Sequence, residues 1–224
     1  MLDNRFNLDF NCDIGHEDIV DNEKAIQLLE CVSSVNIACG LHSGSPLLIK
    51  KAIENCKFKN KVIGALIGLP ASVTDPLSLT FEEVEAIVLY QLGAISAFAQ
   101  AYSLNIEHVR THGIMYDFAA KDKDFALSIA RAVKKYNEWF VYYGAATEVL
   151  DVVASELNIN IAREFIVKNK DSLVELKDKI ENRLIDTVHF STNTDDVLEL
   201  LNEAKNLVSP TPVNYNCVVD SGWV

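Results

Sequence analysis

Four side chains able to move protons or hold a divalent ion stand at the ends of apolar, strand-length runs. Asp13 follows RFNLDFNC, His42 closes VNIACGLH, His112 closes IEHVRTH and His189 lies in LIDTVHF. A carboxylate with two or three imidazoles can form a divalent-metal set, or a general base with the group that orients it. Imidazole suits proton transfer because its unperturbed pKa lies near about 6.5. The four come from separate segments, so their spacing alone says little, and a lone histidine is more often a hydrogen-bonded structural residue. Four convergent groups would make a site. Gly40 and Gly44 flank His42 and allow a tight turn and close ligand approach. Ser43 and Ser45 in that loop could donate to an anion, and turn chemistry explains them equally well.

Side-chain alternation extends the pattern. In the first run Asn7, Asp9, Asn11 and Asp13 share one face, and Phe6, Leu8, Phe10 and Cys12 the other. The matching face carries Asn36, Ala38 and Gly40 before His42, then His108, Arg110 and His112, then Thr187 and His189. A parallel sheet covered by helices on both sides should be apolar on both faces. A polar face can instead line a barrel lumen, or face solvent on an edge strand; its recurrence on several strands favours the barrel. Parallel barrels and open sheets both place their sites at C-terminal strand ends.

The elements that would position these residues follow from periodicity. Strand-length runs are expected at 5–13, 33–40, 61–68, 106–113, 138–144, 159–167, 184–190 and 213–219. Helical periods fall between them at 21–32, 46–56, 78–103, 122–136, 147–158, 171–182 and 194–208. Ser78 or Thr80 can cap the longest helix, with Glu82 and Glu83 in its first turn. This order predicts one α/β domain over 1–224, with parallel strands in a closed barrel or an open doubly wound sheet. At 224 residues the chain is slightly short for an eight-unit barrel.

A formal charge of −12 with a pI near 4.8 repels phosphate backbones and anionic membranes, so neither nucleic acid nor a membrane is an expected partner. A small anionic substrate would need a local positive group such as Arg110 or a bound metal. No signal-like start and no uninterrupted apolar run of spanning length stand out, which predicts a cytoplasmic protein. The five cysteines, Cys12, Cys31, Cys39, Cys56 and Cys217, form no C-x-x-C pair and read as reduced, small apolar residues. Phe98, Tyr102, Trp139, Tyr142 and Tyr143 read as core. Phosphate-loop, dinucleotide and nucleophile-elbow motifs are absent from the sequence.

Five segments occur in one order: NCDIG (11–15), VNIACGLHSGSP (35–46), VIGALIGLP (62–70), QLGAISAFAQAYSLNIEHV (91–109) and RTHGIMYD (110–117). They resemble the patterns NCDLGE, ANIACGFHAGDP, IGAHPGYPD, QIGAL and KPHGALYN of the LamB/YcsF family. IDTVHFSTNTDDVLELL (185–201) is more weakly similar to that family's CVHGD-and-helix segment. The resemblance implies an irregular, TIM-like β/α barrel of seven or eight strands, related to glycoside hydrolase and deacetylase barrels. It implies the chemistry of the 5-oxoprolinase A-subunit, in which the lactam 5-oxoproline is opened to glutamate using ATP and partner subunits. Asp13, His42 and His112 would then be catalytic, and would form the ligand set for a divalent metal. Asn11, Asn36, Ser45, Arg110 and Tyr116 would bind substrate.

Departures from the family patterns are specific. His16 replaces an acidic residue, Ser45 an aspartate, Leu66 a histidine, Arg110 a lysine and Thr111 a proline. The GFGRR segment has no counterpart after Pro70, and the EVFADR motif survives only as NIAREF (160–165). Arginine keeps the charge of lysine but not its ability to give up a proton. Two expectations follow: a hydrolase of cyclic amide C–N bonds, or a catalytically silent relative that binds a small carboxylate or a partner subunit.

Overall fold

The computed structural model describes residues 8–16 and 23–208. Phe6, Asn7, Cys217 and the expected strand at 213–219 lie outside the described residues. Seven parallel strands close into a barrel in sequence order, β1 (Asp9–Ile14), β2 (Ser34–Ala38), β3 (Val62–Ile67), β4 (Ile106–Thr111), β5 (Val141–Ala145), β6 (Asn160–Val167) and β7 (Thr187–Phe190). The seam pairs Asp9 with Thr187, Phe10 with Val188 and Asn11 with His189. Of the two parallel-sheet topologies the sequence allows, the closed barrel forms.

Helices α1 (Glu23–Cys31), α2 (Pro46–Phe58), α3 (Phe81–Ala101), α4 (Ile114–Ala119), α5 (Lys123–Tyr136), α6 (Glu148–Leu157) and α7 (Lys170–Glu181) connect the strands, and α8 (Val197–Val208) follows β7. The outward strand residues, such as Phe10, Cys12, Val35, Ile37, Ile63, Ala65 and Ile67, join the helices' apolar faces in one core. Burying these side chains against helices is the main favourable term for the fold. Thr80 caps α3 in a capping box with Glu83, while Pro76–Ser78 form a separate short 3-10 turn. By length and composition alone the 21-residue α3 is long and apolar enough to cross a membrane, although Gln91, Ser96 and Gln100 interrupt its apolar run. In the barrel it buries Val84, Val88, Gln91, Leu92, Ile95 and Ala99, packing against β3, α2 and α5.

Two further differences have local causes. The short α4, absent from the periodicity reading, is separated from β4's end by two residues, the second its N-cap Gly113, whose φ of 57° suits glycine. Trp139 is 70% exposed rather than core, because it lies in the turn before β5, where its backbone N–H donates to Asn137 Oδ1. Tyr142 and Tyr143 are buried as expected, and Phe98 and Tyr102 pack partly buried against the core. The described cysteines are free, with Cys12, Cys39 and Cys56 buried.

The polar alternates point into the lumen. At its base the Asp9 carboxylate accepts from Ser33 Oγ (2.6 Å), Ser34 Oγ (2.8 Å), Thr187 Oγ1 (2.7 Å) and Tyr143 OH (3.2 Å). Burial raises the Asp9 pKa despite those donors. His108 crosses the lumen over Gly64, where an added Cβ would lie 2.2 Å from the ring, and stacks on Tyr143 at 4.2 Å.

Candidate active site

Above this base, each inward residue braces the next. Asn36 Nδ2 donates to Asn11 Oδ1 (2.8 Å) and Asp13 Oδ1 (2.9 Å), so Asn36 Oδ1 is left to accept from His108 Nε2 at 2.7 Å. Asn11 Nδ2 donates to Thr187 Oγ1 (2.7 Å) and Glu164 Oε1 (3.2 Å), and Asn11 Oδ1 also accepts from His189 Nδ1 (2.7 Å). These donors and acceptors are fully inside the barrel, where an unmet partner would cost about 1–3 kcal/mol.

Arg110 organises the charges. Its Nε and Nη2 form a fork on Glu164 at 2.8–3.0 Å, and its Nη1 reaches Asp13 Oδ2 at 3.2 Å and the Thr111 carbonyl at 3.3 Å. The Tyr116 ring lies 4.9 Å from the guanidinium carbon. Burial by itself would raise the Asp13 carboxyl, but Arg110, with His189 and His112, overrides it and holds Asp13 well below the usual carboxylate range. Burial likewise opposes ionisation of Glu164, and Arg110 again prevails and lowers its pKa.

At the C-terminal mouth His112 Nδ1 faces Asp13 Oδ2 at 3.6 Å, and His189 Nε2 faces the same oxygen at 3.7 Å from within the barrel. His112 is held where β4 ends by its backbone N–H, which donates to Ile67 O at 2.8 Å. Its ring stacks on His42 with centroids 5.0 Å apart, and His16 lies 5.4 Å from His112 and 6.1 Å from His42. The His42 loop turns through Gly40 and Gly44, both near φ 87°, and closes with a Gly40 N–H bond to Ser43 O at 2.9 Å. Burial first, then the neighbouring imidazoles, lowers His42 to about 4. Burial lowers His108 to about 3, and also lowers His16 and His189. A neutral His189 thus faces an ionised Asp13 from within the barrel.

The structure brings Asp13, His42 and His112 to one mouth, with Asn11 and Asn36 beneath them as buried braces. Arg110 meets Glu164 and Asp13 rather than standing open to an anion, and Tyr116 covers it. Ser45 caps α2, its Oγ accepting from Leu48 N–H at 3.4 Å. Among the described residues, the compact donor group is Asp13, His16 and His112, with ligand atoms within 4.8 Å of one another. His16 thus stands where the sequence reading put His42, whose Nδ1 is engaged by Gln91 Oε1 at 3.4 Å. One carboxylate and two imidazoles fit a borderline divalent ion such as zinc. Three contributors escaped the sequence reading: His16 registered only as a departure, Glu164 lay in the blurred NIAREF segment, and Gln91 sat mid-helix.

Comparison with known proteins agrees with this architecture. The LamB/YcsF family model matches residues 8–184. The 5-oxoprolinase A-subunit of Tolumonas auensis is 36% identical over 161 residues, covering 70% of this chain and 64% of that protein. The Oceanobacillus iheyensis A-subunit is 35% identical, covering 71% and 64%, so the match spans just under two thirds of these relatives. The Campylobacter jejuni subsp. doylei A-subunit is 30% identical, covering 89% and 80%. The lactam utilization protein from Thermus thermophilus superposes with a TM-score of 0.72 at 26% identity, covering 89% of this chain and 96% of that one. With its motifs on the mouth of a closed barrel and the family pattern running from β1 to the threshold of β7, the chain belongs to the LamB/YcsF family.

Proposed function

We propose that this chain is a component like the 5-oxoprolinase A-subunit that opens a cyclic amide, with ATP handled together with partner subunits. Its relatives' name, 5-oxoprolinase A-subunit, supports the substrate class and the partners. The observation that carries the reading is the Asp13–His112 pair: an ionised, buried carboxylate 3.6 Å from a half-exposed imidazole at the barrel mouth. An amide is a poor electrophile and its nitrogen a poor leaving group, so ATP-dependent phosphorylation of the carbonyl oxygen would activate it. His112 then accepts the proton of an attacking water, and Asp13 orients the ring and stabilises its cation. The same imidazolium returns the proton to the departing nitrogen, leaving an acyl phosphate that a second water cleaves to the carboxylate and inorganic phosphate. Asn36 and Arg110 hold Asp13 in place from below. A divalent ion held by Asp13, His16 and His112 would instead supply Lewis-acid polarisation of the carbonyl or the water, in place of proton transfer by His112.

Leu66 favours a second reading. This fully buried aliphatic side chain shares Gly64's lumen face, at the position where the family pattern has histidine. Loss of an acid or base group costs about 10²–10⁴ in rate, which would leave a site that binds a small carboxylate without turnover. An ADP-release assay with 5-oxoproline and partner subunits from a motif-complete relative, run beside calorimetric titration of 5-oxoproline, separates the two. Turnover abolished by His112→Ala supports the hydrolase; binding without turnover selects the silent relative; neither signal overturns both.

A further inference from the structure

Gln91, in the middle of α3, is fully buried beside the site and has an amide orientation fixed by the backbone. Its Nε2 donates to two carbonyls, Gly68 O and Ile87 O, both at 3.0 Å. Its Oε1 accepts from Gly68 N–H at 2.9 Å. Flipping the amide would set NH₂ against an N–H and oxygen against two carbonyls, so the side chain has one acceptable orientation. His42 Nδ1 lies 3.4 Å from that same Oε1, which can only accept. The proton on a neutral His42 therefore belongs on Nδ1. Gly68 completes the clamp: a Cβ there would lie 2.7 Å from His42 Cγ, so only glycine lets the ring rest so close to Gln91.

The other ring nitrogen is the consequence. Among the described residues, the buried His42 Nε2 has no hydrogen-bond partner. A shielded acceptor without a donor is costly, and it is relieved by a ligand that brings an N–H or O–H, or by a cation. We propose that Gln91, with Gly68, is a positioning residue that locks His42 in the Nδ1–H tautomer and leaves Nε2 as a bare acceptor for a bound hydrogen-bond donor, such as an activated water or a lactam N–H. This rests on His42 working in the site described above, but the tautomer is readable without turnover, so it can fail separately from the lactam reading.

The test is long-range proton–nitrogen correlation NMR of the imidazoles in the full chain at neutral pH, with the His42 signals identified by their loss in His42→Gln. The expected result is the Nδ1–H form for His42. In Gln91→Leu, shown to be folded by circular dichroism, the population should invert to the Nε2–H form that a free imidazole favours in water. Gly68→Ala, which displaces the ring and leaves Gln91 in place, should also lose the Nδ1–H preference, and it serves if Gln91→Leu does not fold. An Nε2–H tautomer in the unmodified protein, or an unchanged Nδ1–H tautomer in a folded variant, overturns the proposal.

Discussion

Lowering the pH from about 7 to about 5 is expected to destabilise the barrel through His108, by an amount that a single substitution isolates. His108 is fully buried, and burial, followed by the nearby Arg110 charge, lowers its pKa to about 3. In the unfolded chain the same imidazole titrates near about 6.5. Below that value the unfolded chain binds a proton that the native state refuses, so stability present above about 6.5 is lost as the pH falls toward 3. Over the window from about 7 to about 5 the unfolded imidazole gains about three quarters of a proton, and the integrated linkage is worth about 2 kcal/mol. Asp9 acts in the opposite sense, because its raised pKa favours the protonated native form as pH falls. His16, His42 and His189 add to the loss. All of these are common to the unmodified protein and to His108→Gln, whose amide can give Asn36 an equivalent N–H. Urea unfolding of both proteins at the two pH values should therefore show the variant losing about 2 kcal/mol less than the unmodified chain. Equal losses would show that His108 accepts its proton in the native barrel, refuting the argument from burial.

Arg110→Met should cost about 3–5 kcal/mol in urea unfolding, because Glu164 and Asp13 would be left as uncompensated buried carboxylates; adding Glu164→Leu should recover part of the loss. Gly64→Ala should lower the thermal midpoint, since the methyl would lie 2.2 Å from the His108 ring and such overpacking costs about 1–3 kcal/mol. Ser45→Ala should remove about 1 kcal/mol of cap stability from α2 and leave zinc binding by calorimetry unchanged. His112→Ala should keep the circular dichroism spectrum and abolish zinc binding, as its side chain is 40% exposed, whereas Leu92→Ala in the core should cost about 2–5 kcal/mol.

The barrel is legible where alternation is strict. Asp9, Asn11 and Asp13 between Phe10 and Cys12 announce a strand polar on one face, and the structure turns that face to the lumen. Strand ends likewise locate Asp13, His42 and His112, because parallel connectivity puts all such ends at one mouth. Hydrogen-bond partners are less legible. Glu164 looks like one charge in a mixed segment until β6 brings it to Arg110, 54 residues earlier in the chain. Gln91 opens the QLGAI segment that resembles QIGAL, but nothing in that match gives its role, which depends on Gly68 and His42 arriving from elsewhere. The helix at 114–119 is too short for a 3.6-residue period to register.

The seam between β1 and β7 has a consequence during synthesis on the ribosome. Asp9, Phe10 and Asn11 emerge long before Thr187, Val188 and His189, so β1 spends that interval without its neighbour on one side. An unpaired strand of this kind is open to pairing with strands of other nascent chains. Its inward face, however, carries the Asn11 amide and the carboxylates of Asp9 and Asp13, which should repel a stacked copy and resist drying until Ser34, Arg110, Glu164 and Thr187 have arrived. The polar face that later builds the mouth is thus expected to act first as a gatekeeper against aggregation.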